Sequence, residues 1–144
     1  MNAVDLIVLA PDRPDVTLLV EVKVGAVDMP RVEKSIKEYM LLRRCGLALV
    51  VTPASTWLYR DTFRDFSEES IEVVGQYPTA EFFNTPDVPD SGSELERVVR
   101  DWLTQLASNW PVSLPAAETS RKTVVEHIVP AVVEGRVLSG NLGR

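Results

Sequence analysis

The chain has 144 residues, 45% hydrophobic and 25% charged, with a formal net charge of −6, which is the make-up of one soluble domain with a core of its own. No apolar run approaches the length of a bilayer span, the N-terminus lacks the basic and long apolar segments of a secretion signal, and the lone cysteine, Cys45, rules out an internal disulfide, so a cytoplasmic protein is expected. The acidic balance disfavours tight autonomous binding to duplex DNA, which is gripped largely through basic surface; it leaves room for a locally basic groove or a metal-assisted site and favours a partner subunit or a missing basic module.

Residues 3–9 and 16–24 are two apolar, β-branched runs separated by Ala10-Pro11-Asp12-Arg13-Pro14-Asp15, a cluster of turn formers. This pattern predicts a β-hairpin. Side chains alternate along a strand, so Glu21 and Lys23 share one face while Val20, Val22 and Val24 take the other. A pairing centred on Arg13 sets Asp5 opposite Glu21 on the Glu21 face. Like charges directly opposed across a sheet are destabilising, and a divalent cation beside a lysine compensates them. Mg²⁺ takes oxygen ligands, often one or two carboxylates with water in the remaining positions, and a lysine nearby can orient that water or stabilise charge developing on a phosphate. Asp5, Glu21 and Lys23 are therefore the candidate catalytic residues for metal-dependent phosphodiester hydrolysis.

A helix is predicted over residues 28–44, with Asp28 as N-cap, Pro30 in the first turn and Gly46 at the stop. Val32, Ile36, Tyr39 and Met40 form its sheet-facing stripe. Lys34, Lys37 and Arg44 fall on the opposite side, a basic face read as solvated, with contact of Lys34 or Lys37 to a phosphate backbone as the lesser alternative. Residues 47–52 form an apolar strand, buried on both faces and reached by a right-handed crossover from the Glu21 strand. A turn at 53–55 leads to a strand over 57–60, where Trp57 and Tyr59 are read as packing rather than as base-stacking groups. A short strand follows at 71–74, and 85–92 is a loop by composition. Ser93 and Glu96 have the spacing of a capping box, and Leu95, Val98, Val99, Trp102, Leu103 and Leu106 form a helical stripe. A last helix is predicted over 121–134 with a kink at Pro130. His127, the single histidine, has no partner ligands in view and is read as a surface or packing residue. There is no repeat, no Gly-rich phosphate loop and no Ser/His/Asp arrangement. The expected organisation is an α/β core over 1–84, a loop over 85–92 and a helical C-terminal appendage over 93–144, which either covers a sheet face or makes a dimer contact.

With Asp5 in a first strand, a hairpin, Glu21-Val22-Lys23 in a second, an amphipathic helix and the apolar strand Leu47-Ala48-Leu49-Val50-Val51-Thr52, the first half of the chain resembles the PD-(D/E)XK nuclease superfamily. It looks most like the nuclease modules of restriction systems. The resemblance implies a restriction-endonuclease-like mixed β-sheet flanked by helices, with Mg²⁺ or Mn²⁺ as cofactor and nucleic acid, DNA first, as partner. It implies metal ligation by Asp5, Glu21 and the Val22 carbonyl, and charge stabilisation by Lys23. Asp15 of Pro14-Asp15 lies in the turn, so Asp5 is preferred as the family's aspartate. Two positions depart from the pattern. The family core usually opens with a helix before the aspartate strand, often carrying another acidic residue. Here Met1 stands four residues before Asp5, so that helix is absent, supplied by another part of the chain, or lost through the choice of start codon. Ser35 stands where related nucleases often have Gln, four residues before Tyr39. The rival expectation is a catalytically silent nuclease-like fold acting as an interaction or assembly module. The acidic balance and the missing opening helix favour the rival; the intact Asp5, Glu21 and Lys23 favour the enzyme.

Overall fold

The computed structural model describes residues 4–140. Six strands form one mixed sheet: β1 (Leu6–Leu9), β2 (Val16–Val22), β3 (Leu47–Val51), β4 (Ser55–Asp61), β5 (Ile71–Pro78) and β6 (Arg136–Ser139), in the order β5-β4-β3-β2-β1-β6. The hairpin pairs Leu6 with Val20, Ile7 with Leu19 and Val8 with Leu18, which is the register centred on Arg13, before a one-residue shift couples Leu9 to Val16. β2 and β3 run parallel, joined by helix α1 (Met29–Arg43). β3, β4 and β5 then form an antiparallel meander.

The alternation of side chains divides the core into two layers. Leu6, Val8, Leu18, Val20, Leu49, Val51 and Leu58 face one way, against the helices that follow residue 91. Ile7, Leu19, Ala48, Val50 and Tyr59 face the other way, against Val32, Ile36, Tyr39 and Met40 of α1. β3, all of whose residues are buried, is the spine between the layers. Asp28 caps α1, its side chain accepting from the Arg31 N–H at 3.4 Å. The helix ends before the predicted Gly46, because Arg44 itself adopts the left-handed conformation at φ 53°. Tyr59 is fully buried, donates to Glu33 at 3.2 Å and packs as expected, and Trp57 is half-buried on the same layer.

The second half departs further from the sequence expectation. β5 continues to Pro78, past the predicted 71–74, and leads into one short turn of helix, α2 (Thr79–Phe82). Helix α3 (Gly92–Asn109) buries Leu95, Val99, Trp102, Leu103 and Leu106. Its N-cap is Ser91, with no side-chain cap hydrogen bond, so the Ser93–Glu96 capping box does not form. The last helical run starts at Glu118 as α4 (Glu118–Thr123), widens into a π-helical turn over Val124–Ile128 and closes as α5 (Val129–Val132). Pro130 is the cause: it has no N–H to donate and its ring crowds the carbonyl four residues back, and a wider turn accommodates both. The C-terminal segment is not wholly helical, since β6 pairs with β1 and completes the sheet edge. Its helices cover the sheet face. No helix among the described residues is long and apolar enough to cross a membrane.

Candidate functional site

Asp5 lies one residue before β1, held through its backbone from both sides. Its N–H donates to the Val20 carbonyl at 3.0 Å, and its carbonyl accepts from the Gly140 N–H at 2.9 Å. Gly140 suits that position because a Cβ there would overlap the Val4 carbonyl. The Asp5 side chain turns across to β2, where Oδ2 accepts from the Val22 N–H at 2.6 Å. It thereby takes the ladder position that β1, beginning only at Leu6, leaves open. In a strand a residue's carbonyl points to the same side as its N–H, so the Val22 carbonyl is directed toward the Asp5 side as well.

Glu21 is 8% exposed and hydrogen-bonded to Asp5. Burial, then the hydrogen bond and the negative charge of Asp5, push its carboxyl up to about 8, against the opposing pull of Lys23. At neutral pH Glu21 therefore favours its protonated form. Lys23, two residues on and on the same face, continues the parallel ladder through its N–H to the Val51 carbonyl at 2.9 Å. Asp5, Glu21 and Lys23 are thus brought together, with Asp5 and Glu21 in direct contact.

A third carboxyl joins them. Glu96, on the second turn of α3, is hydrogen-bonded to Asp5. Its carboxyl is raised by burial first and Asp5 second, while Arg100, at 3.4 Å one turn later, lowers it. Sequence reasoning assigned Glu96 to a capping box with Ser93 and so missed it; a lone glutamate beside the Leu95 stripe carries no signal of a partner 91 residues away. Glu21, Asp5 and Glu96 form a chain with Asp5 in the middle. Among the described residues no group of three or more His, Cys, Asp or Glu side chains is arranged to hold a metal ion. The donor set that fits a hard cation is thus the Asp5–Glu21 pair with the Val22 carbonyl, which is within the one or two carboxylates that Mg²⁺ ordinarily uses.

On the α1 side Glu21 faces a cleft of about 360 Å³, lined by Glu21, Lys23, Arg31, Lys34, Ser35 and Glu38 with Val32 between them. Ser35 and Tyr39 keep the helix positions expected of them, but Ser35 brings a hydroxyl to the cleft and Tyr39 is buried beneath. Cys45 is buried, its thiol pushed up to about 11 by burial, and it plays no part in the site. His127 lies in the π-helical turn, in the layer on the far side of the sheet from this cleft. Compared with known proteins, the chain matches no protein-family model, no curated protein and no solved structure.

Proposed function

We propose that this chain is a restriction-endonuclease-like domain, of the PD-(D/E)XK kind, that hydrolyses phosphodiester bonds of nucleic acid with Mg²⁺ or Mn²⁺. One observation carries the reading: Asp5 and Glu21 meet carboxyl to carboxyl at the end of two paired strands, with Lys23 on the same face two residues on. A buried acid, Glu21, against a half-buried one, Asp5, is costly unless a proton or a cation offsets the charge. Asp5 and Glu21, with the Val22 carbonyl, would hold the metal. A bound divalent cation would lower the pKa of a coordinated water and polarise a phosphoryl oxygen. The Val22 N–H fixes the rotamer of Asp5. Lys23, a flexible point charge at the cleft mouth, would stabilise the negative charge that builds on the phosphate oxygens. α3 supports the reading in another way: it covers the sheet face and presents an acidic residue, Glu96, to Asp5, a role the family often gives to its opening helix.

The test is a cleavage assay on labelled single- and double-stranded DNA and RNA with millimolar Mg²⁺ or Mn²⁺, set beside Asp5→Ala and Glu21→Ala. The reading requires cleavage by the wild type, inhibition by EDTA and loss of activity in both variants. Wild-type protein that binds metal and cleaves none of the substrates would identify the fold as a silent interaction module.

A further inference from the structure

The cleft beside Glu21 is more basic than the chain that forms it. Three cations line it, Lys23, Arg31 and Lys34, and none of them has a carboxylate within ion-pair distance among the described residues. Glu21 and Glu38 are the two acidic residues of the lining, so cations outnumber carboxyls there in a chain of net −6. The other cations of α1 are differently placed. Lys37 pairs with Glu33 at 3.4 Å, and the Arg43 guanidinium sits 5.8 Å from the Tyr39 ring centre. Arg31 and Lys34 are both exposed and lie three positions apart, which makes them neighbours on one helix face. They occupy the first two turns of α1, whose first turn holds no acidic residue, the N-cap Asp28 standing just before it. The Ser35 hydroxyl, exposed beside them, makes no hydrogen bond of its own among the described residues.

We infer that Arg31 and Lys34, with Ser35, form a phosphate-gripping subsite for the nucleic-acid strand. It would hold a phosphate next to the one placed at Glu21 and Lys23, and so set how the strand lies in the cleft. This rests on the nuclease reading of the Asp5–Glu21–Lys23 site and extends it to the residues that position substrate. The guanidinium fork and the ammonium suit phosphate oxygens, and a second phosphate a short distance from the first is what a polynucleotide, unlike a mononucleotide, offers. Arg31 and Lys34 are positioning residues, since they lie outside the carboxylate pair.

The experiment compares the wild type with Arg31→Ala/Lys34→Ala, and with Arg121→Glu/Lys122→Glu as a control of two exposed cations on α4, in the layer opposite α1. Cleavage of a fluorescein-labelled single-stranded DNA oligonucleotide is followed across a salt series, and binding is followed by anisotropy in EDTA. The subsite predicts a KM raised about tenfold with kcat within about twofold. It also predicts a salt slope shallower by about 1.4, at about 0.7 for each single-strand phosphate that the variant no longer neutralises. The control should match the wild type. Unchanged KM and slope in an active Arg31→Ala/Lys34→Ala protein overturn the subsite and leave the nuclease reading standing. Binding that depends on Arg31 and Lys34 in a wild type that never cleaves sustains the subsite and removes the nuclease reading. A wild type that neither binds nor cleaves removes both.

Discussion

Replacing Glu21 by Gln exchanges a buried protonated acid for an amide of the same shape that still donates toward Asp5. The wild-type carboxyl is pushed from 4.5 up to about 8 in the folded protein. Because the folded state holds the proton more tightly than the unfolded chain, the native state binds more protons between those two values, and stability falls as pH rises through that window. The stabilising linkage is fully present below about 4.5 and lost above about 8. At about 1.4 kcal/mol per pH unit the effect is on the order of 5 kcal/mol as an upper bound. That is comparable with the whole stability of many domains, so it is measurable. Urea unfolding of wild type and Glu21→Gln from about pH 5 to about pH 9 should show the wild-type midpoint dropping while the variant stays flatter across the same range. Parallel profiles would mean that Glu21 is charged at neutral pH, and the raised Glu21 carboxyl would have to be abandoned.

Three further outcomes follow from the same geometry. Mg²⁺ or Mn²⁺ should raise the melting temperature by mass action, more at about pH 8.5 than at about pH 6 because the pair must give up its proton to bind, and Asp5→Ala should abolish the response; a shift independent of pH would contradict the coupling. Lys23→Ala should lower turnover by about two orders of magnitude or more while leaving the melting temperature close to that of the wild type, read by cleavage and by thermal unfolding, since the lysine head contributes little core packing. Gly140→Ala should loosen the docking of β6 and release the Asp5 carbonyl, costing on the order of 2 kcal/mol or more by urea unfolding, whereas Ala at the open position Gly92, where the nearest neighbour is a Val24 methyl at 3.7 Å, should cost little.

The hairpin register is legible in the chain because two short-range rules agree there: turn formers fix the centre, and alternation fixes which side chains face each other. That agreement is enough to set Asp5 opposite Glu21. α1 is legible for similar reasons, with its cap, its proline and its apolar stripe all local. Glu96 is not, because its relation to Asp5 exists only once α3 packs on the sheet, and Ser93 three residues earlier offers a plausible local explanation that the fold does not use. β6 escapes because four residues, Arg-Val-Leu-Ser, carry almost no periodicity and gain their strand conformation from the open edge of β1. Of the cleft cations, Lys34 alone belongs to the basic helix face legible in the sequence, beside Lys37 and Arg44, and Lys23 is legible from strand alternation; Arg31 is not. Which of them finds a partner depends on Glu33 lying one turn from Lys37 while Arg31 and Lys34 look out over the end of β2.

The clamp on Asp5 ties its placement to the order in which the chain becomes available. The Gly140 N–H that holds its carbonyl is 135 residues further along, so the contact closes one of the longest loops the chain can form. During synthesis β1 and β2 can pair early, but the aspartate keeps a loose backbone until β6 arrives. A nascent chain halted before Arg136 should have the hairpin without the fixed carboxylate, and hydrogen exchange at Gly140 should report when the site becomes complete. If the domain cuts nucleic acid, its cutting geometry would mature late, once β6 has emerged and closed the sheet edge.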